Sequence, residues 1–383
     1  MDIFASRKSR SFLAIALLLA MLIFLGFTLL EGYRKENQRL FAEIEESLGA
    51  SSVGQCMANI LAQRDSAYQP LLNRFPLTEY LNSNPPTVTS EQQHNVVPFQ
   101  IFLDRYQAIW DLSQQPESRK APTSEQFSFG ADPLVLLSPE FEGMNRLLIP
   151  SANIPLSLQE RVEWAARSLE CTEGYLGGGF VIDEYTRCGL IVDWLKKCRF
   201  LVLKLETPDH LKQLLTALDG VESPMEGYQR AMRMTYVQTM ELWHASHGGS
   251  QGASTPFFVE PELHNGLSQL KDRVQHLDQP IEPFHRPWYQ SPMAKWHLLE
   301  TPGDDFINDT HYLSHELAAG IEFFRQAVEY RIARLEVGDQ ATAPQGITVK
   351  SAPSGQIRVI SKRKPVTEGV ALPDLFEPYI FPE

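Results

Sequence analysis

The sequence predicts a mainly α-helical protein: a single N-terminal transmembrane helix, a multi-helix body built of helical hairpins, and a small C-terminal β-hairpin. Three observations carry this reading. Ser11 to Leu30 (SFLAIALLLAMLIFLGFTLL) is a run of twenty residues without a charged side chain. Between Ser157 and Gly338, helix-start and helix-stop signals recur at short intervals. Near the C-terminus, two Ile- and Val-bearing segments flank Pro353-Ser354-Gly355. The expected segments are a short head (1–10), the anchor (11–30), a helical stalk (31–75), a helix with irregular linker (76–156), a helical core (157–338), and a β-hairpin with an apolar tail (339–383).

At about 1.5 Å of helical rise per residue, the anchor run covers roughly 30 Å, the thickness of a bilayer's hydrocarbon core. A cleaved signal peptide has a shorter apolar region, about 7–15 residues, followed by a small-x-small cleavage site. Here the run passes straight into Glu31-Gly32-Tyr33-Arg34-Lys35, so a retained anchor is the expectation. Gly26-Phe27-Thr28-Leu29-Leu30-Glu31 resembles the processing motif of type IV prepilins. In that family the motif precedes the hydrophobic helix; here it follows, and cutting there would remove the anchor. Arg7, Lys8 and Arg10 flank one end, and Arg34, Lys35 and Arg39 the other, so the positive-inside bias toward a cytoplasmic N-terminus is slight. A short head and a long body suit a signal anchor with an exported body, periplasmic or extracellular.

The net charge of −13 argues against general binding to nucleic acid or anionic lipid. Lys362-Arg363-Lys364 is the best local basic patch. Cys56, Cys171, Cys188 and Cys198 permit two disulfides in an exported body, or four buried thiols. Cys188 and Cys198 on one helix would stand roughly 15 Å apart, beyond disulfide reach. There is no Cys-x-x-Cys.

From Tyr33 to about Leu48 the anchor helix continues as a stalk, ended by Gly49, and a further helix spans about Val53 to Asn73. Residues 77–97 read as loop. Phe99 to Leu112 is helical, and a stretch punctuated by Pro116, Pro122, Pro133, Pro139 and Pro150 is irregular. Ser157 with Glu160 is a capping box that opens a helix to about Glu170. A Gly-rich break at 171–180 precedes an apolar helix from about Ile182 to Leu205. Thr207-Pro208 caps the next, with Leu211, Leu214, Leu215 and Leu218 on its buried face and Gly220 as its stop. Ser223, Pro224 and Glu226 start another, to about Ala245. Short links imply antiparallel neighbours. Glu260 to Leu277 carries a stripe of Leu263, Leu267, Leu270, Val274 and Leu277. The best amphipathic helix carries Leu313, Leu317, Ile321, Phe324, Val328, Ile332 and Leu335, with Gly338 as its stop. Gly346–Lys350 and Gln356–Ile360 form the hairpin. Leu375, Phe376, Tyr379, Ile380 and Phe381 make a tail apolar enough to dock on this body or on a partner.

Eight of the ten histidines lie between His244 and His315. His311 and His315, one helical turn apart, can share a metal such as zinc, with a third ligand from His285, His297, Asp304 or Asp305 and Glu322 further along. The competing expectation is an exposed polar-face pair, opposite the leucine stripe, with no cofactor at all. His244 and His247 at a helix end complement its dipole. Ser268-Gln269-Leu270-Lys271 matches the Ser-x-x-Lys motif of penicillin-recognising enzymes, but the partner motifs are missing and Leu270 belongs to a packing stripe. Gly174–Gly179 (GYLGGG) precedes a helix whose opening Asp183 and Glu184 would repel phosphate. The aromatic segment Pro283–Trp296 reads as a loop pinned by Trp288 and Trp296, or as the lining of a small-ligand site. With no catalytic constellation, the leading expectation is a non-enzymatic interaction or scaffold subunit, held in the membrane through residues 11–30 and bound to a protein partner. The rival is a membrane-anchored, metal-dependent hydrolase using residues 244–315.

Overall fold

The computed structural model describes residues 7–52, 55, 56, 59, 157–176, 181–248, 260–279, 304–352, 356–363 and 372–382. The expected helices at Val53–Asn73 and Phe99–Leu112, and the aromatic segment 283–296, lie outside these residues, apart from Gln55, Cys56 and Asn59, which are helical. Among the described residues seven α-helices are defined: α1 (Arg7–Leu48), α2 (Leu158–Leu176), α3 (Val181–Lys204), α4 (Pro208–Asp219), α5 (Pro224–Gly248), α6 (Glu260–Gln275) and α7 (Asp304–Val337). Three short strands follow, β1 (Ile347–Ala352), β2 (Gln356–Ser361) and β3 (Tyr379–Pro382). The protein is therefore mainly helical, with one long apolar N-terminal helix and a small antiparallel sheet at its C-terminus.

Two compact units are present. One joins Met1–Ser52, Tyr236–Leu277 and Glu282–Pro302; the other joins Val53–Thr235, Asp278–Ile281 and Gly303–Glu383. In the first, the segments expected as anchor and stalk form one uninterrupted helix up to Leu48. Between Ile15 and Leu29 the large apolar side chains of α1 are 53–74% exposed. From Asn37 onward the same helix is embedded in protein, with Leu40, Phe41, Ile44 and Leu48 buried. Gly49, at φ 69°, ends it, where a residue with a Cβ would be strained. Among the described residues, α1 is the one helix long and apolar enough to cross a membrane.

α1 packs against α6, whose Leu263, Leu267, Leu270 and Val274 are buried as their spacing predicts. The seam is pinned by polar contacts. Asn37 Nδ2 donates to Glu260 O (3.0 Å) and to Glu260 Oε2 (2.8 Å). Lys271 Nζ pairs with Glu43 Oε2 at 2.6 Å, and Tyr33 meets the His264 ring edge-on at 5.4 Å.

The second unit has a continuous core formed by α2, α3, α4, α7 and the sheet. The capping box of α2 forms as expected. Glu160 N donates to Ser157 Oγ (3.2 Å), and Ser157 N and Oγ donate back to Glu160 Oε2 (2.8 and 2.7 Å). The helix then runs six residues past Glu170, to Leu176. Trp194 Nε1 of α3 donates to Ala165 O of α2 at 2.8 Å. On α4, Leu211, Leu214, Ala217 and Leu218 are buried, and Leu215 is half-buried. On α7 the whole predicted stripe from Leu313 to Ile332 is buried, with Leu335 packed at its edge. Gly338, at φ 63°, stops the helix.

The hairpin forms with Val349 opposite Val359, and β3 adds to its other side with Tyr379 opposite Val359 and Phe381 opposite Ile357. The apolar tail is thus a third strand docked on its own chain. Tyr379 and Phe381 alternate inward while Ile380 faces out, the period of two that a strand imposes. Arg199 of α3 fastens the turn, donating to Pro378 O at 2.6 Å with its guanidinium 4.6 Å over the Tyr379 ring. Leu375 lies against Gly320 of α7, where an added Cβ would come within 2.7 Å of it. Phe381→Ala, at a residue 1% exposed, is expected to destabilise the unit by about 3–5 kcal/mol, and Ile380→Ala by about 1 kcal/mol or less. Denaturant unfolding of the two variants followed by tryptophan fluorescence separates a docked tail from a free one.

Candidate functional site

The most concentrated chemistry in the second unit is a buried polar centre where α3, α5 and α7 supply charged, thiol and imidazole groups. On α3 the apolar stripe Cys188, Ile191, Leu195, Cys198, Val202 is buried throughout. Continued one turn toward the N-terminus, this stripe lands on Glu184 and Arg187, which are 2% and 0% exposed. Both are carried into the interior by the periodicity that buries the leucines.

Their charges are compensated locally. Arg187 Nε and Nη2 donate to the two oxygens of Glu184 at 2.9 and 2.7 Å, a bidentate pair. Arg187 Nη1 donates to Glu222 O at 3.3 Å. Arg230 of α5 brings a second guanidinium to within 3.8 Å of Glu184 Oε2 and also pairs with the Glu222 carboxylate. α5 approaches this closely because position 227 is glycine: a Cβ there would sit 2.5 Å from Glu184 Oε1. Cys188 Sγ lies 3.4 Å from Glu184 Oε1 and 3.7 Å from Ser314 Oγ of α7.

Taking a carboxylate and a guanidinium out of water is costly, and the bidentate geometry offsets that cost. Both Glu184 oxygens accept from Arg187, so the carboxylate serves as an anchor for α3 and α5. Burial, and then the Glu184 charge, push the Cys188 thiol well above its ordinary range. It is a packed thiol with little thiolate at neutral pH.

α7 adds the two histidines singled out in the sequence. His315 is exposed, but His311 is 3% exposed, which corrects the expectation of an exposed pair. The Tyr228 ring on α5 meets His311 edge-on at 5.1 Å, and the His315 ring stands 4.7 Å away. Helix-wheel reasoning placed His311 opposite the leucine stripe, yet α7 is enclosed there too, as buried Thr310 and Ser314 also show. Burial, reinforced by His315, lowers the His311 pKa from 6.5 to about 4.

Among the described residues, no group of three His, Cys, Asp or Glu side chains converges to hold a metal. His285 and His297 lie outside those residues, as do the side chains of Asp304, Asp305, His244 and His247. Glu322 sits on the exposed face of α7, bonded to Gln326. Ser268 Oγ donates to His264 O, and Lys271 is engaged by Glu43, which leaves the Ser-x-x-Lys pattern structural. In the basic patch, Lys362 donates to Gln345 O, and Arg363 pairs with buried Glu316 at 3.2 Å. Cys56, Cys188 and Cys198 are free and buried, so the two-disulfide alternative is not realised; the Cys171 side chain lies outside the description. The residue pair that sequence reasoning missed is Glu184 with Arg187. Its signal was an apolar stripe that begins on two charges.

Compared with protein families, curated proteins and solved structures, the chain has no match.

Glu184→Ala removes the carboxylate that faces two guanidinium groups and is expected to cost about 3–5 kcal/mol. Gly227→Ala forces α5 away from Glu184 and is expected to cost about 1–3 kcal/mol. Thermal unfolding of the two variants tests both. A second expectation concerns pH. Because His311 is held neutral in the fold, the unfolded chain binds more protons between pH 6.5 and about 4. Stability is therefore full above that window and falls on acidification through it, by an amount on the order of 3 kcal/mol. In His311→Phe, which keeps a ring and loses the proton site, the unfolding free energy should fall less steeply from pH 7 to pH 4.5 than in the wild type.

Proposed function

We propose that this chain is a single-pass, N-terminally anchored protein that works without catalysis, as an interaction or scaffold subunit of an envelope assembly. Its N-terminus is cytoplasmic and its helical body exported. The observation that carries the reading is the division of α1: apolar and exposed over a bilayer's thickness, then embedded in its own body from Asn37 onward. Such a helix fixes a folded body directly at a membrane surface, which is what a tethered subunit requires. The buried charges add support, since the Glu184 carboxylate and the Arg187 guanidinium hold one another and not a substrate. The docked tail moves the expected partner surface elsewhere, because Tyr379 and Phe381 are already covered by this chain. Phe200 of α3, 68% exposed, is one apolar side chain left uncovered. The net charge of −13 favours a protein partner over nucleic acid.

Crosslinking in native membranes, followed by purification of the full-length protein, tests this. A stoichiometric protein partner joined to the body is expected, with residues beyond Leu30 digested by protease added from the exported side. A protein recovered alone, with metal-dependent hydrolysis of ester or phosphodiester probes, would replace the scaffold reading with the anchored hydrolase.

A further inference from the structure

We propose that His311 and His315 of α7 together bind one divalent transition-metal ion of the zinc class, with solvent completing the coordination. The argument rests on geometry and stands apart from the scaffold reading. Residues four apart on a helix share a face, the arrangement by which two imidazoles reach one ion. Two imidazoles on a tetrahedral ion, with metal–nitrogen distances of about 2.0–2.1 Å, have ring centres roughly 5 Å apart. The ring centres of His311 and His315 are 4.7 Å apart, close to that separation.

The inner ring also has unmet bonding capacity. His311 Nδ1 is buried and has no hydrogen-bond partner, and buried polar atoms of that kind are few in folded proteins. A metal ion takes imidazole nitrogen as ligand, and an unpartnered ring nitrogen is free to serve as one. The Arg363 guanidinium, which reaches His315 O at 3.5 Å, is held by the Glu316 carboxylate at 3.2 Å. The Tyr228 ring packs against His311 at 5.1 Å, so the inner ligand is held in the fold and exposed His315 supplies the second nitrogen from the solvent side. Only two protein ligands are assigned, in keeping with the described residues.

The test uses full-length protein in detergent, stripped with chelator and titrated with zinc chloride, with cobalt(II) as an optical probe. The wild type is expected to take up zinc with a rise in its unfolding temperature, and to give cobalt ligand-field bands. In His315→Ala and His315→Gln, zinc affinity should fall at least tenfold and the bands should weaken together. Because His315 is exposed, the metal-free unfolding temperature of these variants should match the wild type. His276→Ala, at an exposed histidine elsewhere, should titrate like the wild type and so exclude general histidine binding. A wild type that takes up no zinc, or His315 variants whose affinity falls by less than tenfold, would overturn the assignment.

Discussion

A buried charge is stable only where its counter-charge is delivered to it, and in the second unit that requirement settles on Glu184. Its two oxygens accept the bidentate fork of Arg187 one turn along α3, while Arg230 arrives from α5. Neither helix can slide or rotate without drawing a guanidinium away from the buried Glu184 carboxylate, and an uncompensated buried charge is costly. The glycine at 227 follows from the same constraint, since any side chain would occupy the space of the carboxylate. So does the inertness of Cys188, whose thiol shares a dry pocket with a negative charge.

Midway along α7 the contacts are apolar and aromatic. Phe323 and Phe324 meet Tyr379, and Leu375 sits over Gly320. A two-stranded hairpin is marginal alone, and a third strand with one face laid on helices makes it a stable layer. The last apolar residues of the chain therefore complete a core. For the proposed tethered subunit this matters, because the surfaces open to a partner are those left after the chain has covered its own sheet.

Much of the architecture was legible because periodicity and capping act locally. The α4 boundaries follow from Thr207-Pro208 and Gly220, and the α2 start from Ser157 and Glu160. The α7 stripe is buried as its spacing requires. Helix ends were less legible: α2 continues through Cys171 to Leu176, since no residue there forbids a helix and nothing in a local pattern says where packing stops. β3 was missed as a strand because Tyr379–Pro382 is four residues long, with Pro378 just before it and Pro382 at its end weakening any strand signal. The candidate site was the least legible part. Glu184 and Arg187 read as ordinary helix charges until α5 covers them, and His311 read as exposed until Tyr228 stands against it.

The sequence alone determined that one segment has the length and apolarity of a membrane span, that the body is helical, and that His311 and His315 share a face. These follow from composition and from the 1.5 Å rise and 3.6-residue turn of the helix, which need no knowledge of distant residues. Only the tertiary structure decided which polar groups are buried, which cysteines stay free, and where the apolar tail lies. Those outcomes depend on which helices meet, and desolvation is a property of the assembled neighbourhood.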